Sequence, residues 1–178
     1  TIKKCIKDMK KLGAKAITFT GGGEPMIHKH FYKILSFTKK NNLDCGLITN
    51  GSPITEKNCP SLIENCEWIR FSISGGNKES YLAVQGKDHF DLVLKNIKLL
   101  CKEKLKKKSS TKIGLRMLIT EKNLSTLSNL ALLINKINGI NYIQISPNQF
   151  STDEGKFWHS NEVQKEIDKT KKILRSSK

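Results

Sequence analysis

The densest group of chemically capable residues in this chain is Thr20-Gly21-Gly22-Gly23-Glu24-Pro25. Three glycines let a backbone come close to a ligand and leave its N–H and C=O groups uncovered. A carboxylate follows at Glu24, and Pro25 fixes the exit. A carboxylate holds phosphate poorly and no G-K-[ST] follows, so the stretch is not a P-loop. Glycine carbonyls beside Glu24 suit a cationic ammonium group instead. Taken alone, a triple glycine is more often a tight turn with a surface glutamate. Three other stretches are small, polar or glycine-rich in the same way: Asn50-Gly51-Ser52, Ser72-Ile73-Ser74-Gly75-Gly76 and Ser146-Pro147-Asn148. Each ends a strand-like run, so all four can share one rim.

Those runs are 16–20 (AITFT), 45–49 (CGLIT), 68–74 (WIRFSIS), 112–120 (KIGLRMLIT) and 141–146 (NYIQIS). Most are rich in β-branched or aromatic residues and end near Gly, Asn, Ser or Pro. Helical stripes lie around them. Ile2, Cys5, Ile6, Met9 and Leu12 form the first, stopped by Gly13. Phe31, Ile34, Leu35 and Thr38 form the second, and Leu62, Ile63 and Cys66 a shorter third. Phe90, Val93, Leu94, Ile97, Cys101 and Leu105 form the fourth, with Asp88 as the expected N-cap. Leu127, Leu130, Ile134 and Ile137 form the fifth, and Val163, Ile167 and Leu174 predict a terminal helix. Repeated strand–helix units predict a parallel sheet with right-handed crossovers. The strands alternate: Arg70, Ser72 and Ser74 oppose Ile69, Phe71 and Ile73, and Tyr142, Gln144 and Ser146 oppose Ile143 and Ile145. A doubly covered sheet prefers apolar residues on both faces. One polar face predicts a curved sheet around a polar cavity, an open (β/α) barrel. Ligands of parallel βα folds sit at the C-terminal strand ends, where the glycine-rich stretches lie.

With 178 residues the chain has the length of one domain, or one domain and a tail. Its 37% apolar content, with 12 glycines besides, is that of a globular protein rather than a disordered one. No apolar run is long enough to span a membrane and no signal-peptide pattern begins these residues, so secretion is unsupported; cysteines that read as reduced make a cytoplasmic protein the expectation. The net charge of +16 is large enough to attract nucleic acid. Only Arg70, Arg116 and Arg175 are arginines, however, and bidentate base contacts rely on arginine. With few aromatics as well, the lysines read as a solvated surface and nucleic acid is disfavoured as a partner. Five cysteines, Cys5, Cys45, Cys59, Cys66 and Cys101, include no C-x-x-C pair and read as reduced, mostly buried thiols. His28 and His30, two apart at a helix start, point different ways and predict no shared metal. Tyr81 and Trp158 read as packing residues. A Rossmann domain would need G-x-G-x-x-G and an acid where Asn50 stands, and GGGEPM fails that pattern.

ITFTGGGEP, LITNG, IRFSISGG and HFDLVLKNIKLL, in that order, resemble the radical S-adenosylmethionine (radical SAM) superfamily from about residue 1 to 146. The resemblance implies an α/β fold, a partial (β/α)6 TIM-like barrel of parallel strands, truncated at the N-terminus. It would occupy 1–150, with 151–178 a C-terminal loop and helix. It implies that Gly22, Gly23 and Glu24, with Pro25, bind the methionyl amino group of SAM, and that Asn50 belongs to the same rim. Ser72 and Ser74 match the segment that contacts the ribose and carboxylate. Relatives often carry Asp at the position of Ser74 and Arg at that of Gln85, so Arg116 is the expected substitute for pairing the carboxylate. Residues 115–119 are expected as an apolar wall near the adenine.

The resemblance also implies a [4Fe–4S] cluster on a C-x3-C-x2-C loop, a spacing this chain lacks. The first helix matches the one that follows that loop, so the ligands are expected upstream of Thr1. A relative without a cluster is the alternative. The implied activity is reductive cleavage of SAM, fed by an external one-electron reductant, to a 5′-deoxyadenosyl radical that acts on a substrate the residues do not identify. These 178 residues alone are then expected to be inactive.

Overall fold

Apolar strand faces alternating with helical stripes need a helix over each crossover, and the chain forms one sheet that satisfies this. The computed structural model describes residues 1–147 and 157–176. The strands β1 (Ala16–Phe19), β2 (Asp44–Thr49), β3 (Trp68–Ser72), β4 (Lys112–Ile119) and β5 (Ile140–Pro147) run in the order β1-β2-β3-β4-β5. All neighbours are parallel. Strand order never reverses, whereas a Rossmann sheet turns back at a switch point. Right-handed crossovers that always step the same way put the helices on one face. The sheet is therefore an open section of a TIM-like barrel, as the alternation predicts.

The helices are α1 (Ile2–Lys11), α2 (Phe31–Lys40), α3 (Cys59–Asn65), α4 (Lys78–Gln85), α5 (Phe90–Lys106), α6 (Leu127–Asn135) and α7 (Asn161–Arg175). The core lies between them and the outer sheet face. Leu47, Ile69, Phe71, Ile113 and Met117 are wholly buried there, against Leu35, Leu62, Val93, Ile97 and Leu127 from the helices. Each such side chain contributes about 1.5–3 kcal/mol over leaving it exposed. The inner face is built differently. The Trp68 ring lies where a Cβ on Gly46 would stand, and the Tyr142 ring does the same at Gly114. Two glycines thus make room for two aromatic rings at the N-terminal end of the inner face.

Several expectations shift. β3 ends at Ser72, so Ile73 and Ser74 already belong to the loop. The N-cap of α5 is His89, not Asp88, and Asp88 instead pairs with Lys78 Nζ at 2.9 Å. On α1 only Ile6 is buried; Leu12 is 88% exposed and Cys5 is exposed too. The reason is position: α1 packs on α2 beside β1, an edge strand among the described residues, so half its stripe meets no partner. Asn148 and the rest of 148–156 lie outside the described residues. Beyond them α7 packs on α6, where the Ser128 N–H donates to Glu166 Oε1 at 3.1 Å and Val163 is fully buried. Trp158 packs partly buried against the core, and Tyr81 is 3% exposed with its ring 5.8 Å from Phe90. Among the described residues no helix is long and apolar enough to cross a membrane.

Candidate functional site

The C-terminal strand ends carry the rim. After β1 the chain turns through Gly21, Gly22 and Gly23, and Pro25 opens a single 3-10 turn (Pro25–Ile27). Proline suits that first position, because its missing N–H had no partner to lose. Met26 plugs into the core at 6% exposure and anchors the turn. Glu24 caps it: Oε1 accepts the Met26 N–H at 3.2 Å. The same oxygen accepts the Thr49 hydroxyl at 2.8 Å, and Oε2 accepts the Asn50 N–H at 2.7 Å. One carboxylate therefore ties the loop after β1 to the loop after β2. A carboxylate has about four acceptor sites, so about one remains, on Oε2. Beside it a Cβ built on Gly21, Gly22 or Gly23 would meet nothing within 4 Å.

The second loop is held from behind. The Asn50 side chain accepts the Ser52 N–H at 2.8 Å and the Ser52 hydroxyl at 2.7 Å, so Asn50 gives the rim its backbone, while its amide shapes its own turn. Buried Asn96 on α5 donates to the Gly51 carbonyl at 2.9 Å.

The other expected residues gather one strand further on. Ser72, Ser74, Gln85, Arg116, Leu118 and Thr120 are among those lining a cavity of about 270 Å³. Gln85 on α4 donates Nε2 to Ser74 Oγ at 2.5 Å. Arg116 donates Nε to Ser146 Oγ at 3.3 Å. The Thr120 hydroxyl is buried with no hydrogen-bond partner, an open polar position in this cavity. Of 115–119, only Leu118 and Arg116 line it; Leu115, Met117 and Ile119 turn outward into the core. An apolar wall of the whole run is thus halved by strand alternation.

Asn123, a residue the sequence did not single out, is fully buried behind this loop. It donates Nδ2 to the Ser74 carbonyl at 2.9 Å and the Leu118 carbonyl at 2.8 Å, and accepts the Thr120 N–H at 2.8 Å. Thr126 Oγ1 accepts the Gly76 N–H at 3.0 Å. Neither was legible, because Asn123 reaches Ser74 and Thr126 reaches Gly76 across 49 and 50 residues of sequence.

The cysteines do not assemble. Cys45, Cys59, Cys66 and Cys101 are buried in the core with no three of them converging, and burial pushes the thiols of Cys45, Cys59 and Cys101 up to about 11. Among the described residues no three His, Cys, Asp or Glu side chains converge as a metal site. The His30 N–H donates to His28 Nδ1 at 3.2 Å, a local turn contact. These residues do not fit an iron–sulfur cluster. They do fit SAM: an open glycine edge, a fixed carboxylate with a free acceptor site, and a polar cavity on the next strands.

Fold and rim together define a parallel βα barrel section with a polar, glycine-rich rim at its C-terminal strand ends. Residues 1–134 match the Radical SAM superfamily, and the chain belongs to it. It is 33% identical over 91 residues to an uncharacterized protein of Methanocaldococcus jannaschii, covering 50% of this chain and 32% of that one. It is 26% identical over 114 residues to the mycofactocin maturase MftC of Mycolicibacterium smegmatis, covering 64% and 28%. The chain thus spans about a third of the length of these relatives. In fold it is similar to Streptococcus suis SuiB, solved bound to S-adenosylmethionine: TM-score 0.73, 13% identity, 98% of this chain and 40% of that one.

Proposed function

We propose that this chain is the SAM-binding barrel of a radical SAM enzyme, over 1–150, with 151–178 as a terminal segment. Gly22, Gly23 and Glu24 take the methionyl ammonium, and Pro25 fixes the turn. Ser72 and Ser74 take the ribose, Arg116 pairs with the carboxylate, and the Asn50 backbone holds Glu24 in place. With SAM held by these residues, one electron from the reductant would release methionine and supply a 5′-deoxyadenosyl radical able to take a hydrogen atom from the substrate, as the family resemblance implies. The ligands of a [4Fe–4S] cluster and the reductant are assigned outside these 178 residues.

The observation that carries this reading is the Glu24 carboxylate. It accepts three hydrogen bonds that fix it between two strand ends, and it keeps an acceptor site beside glycines with empty space around them. A carboxylate fixed in this way binds a cation with no reorganisation of its own. Calorimetric titration of the chain with SAM tests it. Saturable binding is expected, weakened roughly tenfold or more in Glu24→Gln, which loses a charged partner for the ammonium. No binding, or binding indifferent to that substitution, refutes the assignment. For the whole protein, release of 5′-deoxyadenosine after cluster reconstitution and reduction is the expected activity.

A further inference from the structure

The inner sheet face holds a second polar layer beneath the rim. Register sets Ser72 beside Arg116 and Arg116 beside Gln144, while Arg70 stands beside Gly114. Arg70 therefore starts two residues, roughly 7 Å, deeper than Ser72. Gly114 carries no side chain in its way. Over that glycine the guanidinium spans β4 and donates Nη1 to Gln144 Oε1 on β5 at 2.9 Å. Its carbon lies 5.8 Å from the Trp68 ring, which backs it from below.

Among the described residues this layer holds no anion. Arg70 Nε is buried with no hydrogen-bond partner. Gln144 and Arg116 both donate to Ser146 Oγ, at 3.4 and 3.3 Å, so that hydroxyl is already taken. Among the described residues neither Arg70 nor Arg116 has an ion-pair partner. Burial and the neighbouring Arg116 charge hold Arg70 below the ordinary arginine value, the direction expected of an unneutralised cation. A buried, unpaired guanidinium N–H is costly. The group that matches its planar fork is an oxyanion.

We propose that Arg70, with Gln144 beside it, forms a subsite inside the barrel for a carboxylate or phosphate oxyanion of the substrate. The inference rests on SAM occupying the rim. The SAM contacts assigned above are at Gly22, Gly23, Glu24, Ser72, Ser74 and Arg116, and Arg70 lies one layer below Ser72 and Arg116. A substrate that anchors its anion on Arg70 places the rest of its body toward SAM. The substrate class is then an organic acid or a phosphorylated molecule.

Three arginines in the chain mean three arginine Nε–H signals in a nitrogen–proton correlation spectrum. Arg175, exposed on α7, is the internal control. The chain is titrated with inorganic phosphate and with acetate, against chloride at equal ionic strength, with and without saturating SAM. Phosphate or acetate is expected to move the Arg70 signal to saturation with SAM present, and the tighter of the two names the anion class. Arg70→Gln identifies that signal by its loss, and calorimetric titration with the same anion reads binding weakened roughly tenfold or more, with Arg70→Lys recovering part of it. An Arg70 signal that moves no further than that of Arg175 overturns the proposal. So does SAM alone moving it and then blocking both anions, because SAM's own carboxylate would be the occupant. Saturation by phosphate while SAM moves no signal would support the anion site and overturn the rim assignment instead. The wild-type titration decides even where a variant fails to fold.

Discussion

Two glycine turns close the same rim, and a methyl group added to each would meet opposite surroundings. On Gly22 or Gly23 it would point into open space. On Gly75 it would stand 2.4 Å from the Tyr81 nitrogen, and on Gly76 only 1.7 Å from the Thr126 carbonyl oxygen. The first turn is empty where a ligand can enter. The second is jammed between the start of α4 and the loop before α6. Glycine serves access in one and packing in the other, although both follow a strand and both read as glycine-rich. Their support differs in the same sense. The first turn is tied by the Glu24 carboxylate, which keeps a free acceptor site. The second is tied by Asn123 and Thr126, whose groups are spent on backbone and on the Ser80 hydroxyl.

This contrast is open to direct attack. Gly76→Ala is expected to destabilise the fold by roughly 3–4 kcal/mol, since a carbonyl on another loop cannot yield as a side chain tip can. Denaturant unfolding reads this, and a loss under 1 kcal/mol would show the turn to be slack. Asn123→Ala follows at about 2 kcal/mol, because it strands two buried carbonyls and an N–H. Glu24→Gln is expected to cost about 1 kcal/mol in unfolding, with its larger effect on SAM affinity. Gly22→Ala should leave stability within about 0.5 kcal/mol yet weaken SAM binding in the calorimeter. Equal destabilisation by Gly22→Ala and Gly76→Ala would erase the distinction.

The buried thiols provide a common baseline for both turns. Cys45, Cys59 and Cys101 rise in the folded chain from the ordinary 9.0 to about 11. A raised folded value means that their contribution is whole below pH 9 and is lost as pH climbs through about 11. The thermal midpoint is therefore expected to fall between those limits, by the same amount in wild type and in Gly22→Ala. A flat profile would contradict the burial of these cysteines.

Strands were legible because alternation repeats every second residue. The run 112–120 is observed as Lys112–Ile119, and 141–146 as Ile140–Pro147. Helix faces were legible where a sheet covers them, as for Phe90, Val93, Ile97 and Cys101, and misleading on α1, where part of the stripe has no cover. Asp88 failed as a cap because a nearby lysine engages it and the helix starts one residue later. Glu24 stood out by its neighbours, but its grip on Thr49 and Asn50 spans some 25 residues that no local pattern connects.

Residue order alone established a parallel strand–helix repeat, a polar inner face, a glycine–carboxylate edge and kinship with radical SAM proteins, since periodicity and short motifs are local properties of a chain. Which glycines stand open, which arginine N–H is buried without a partner among the described residues, and which amides brace the loops were settled by folding. Those are properties of empty space and of distance across strands, and they exist only once remote segments have been brought together.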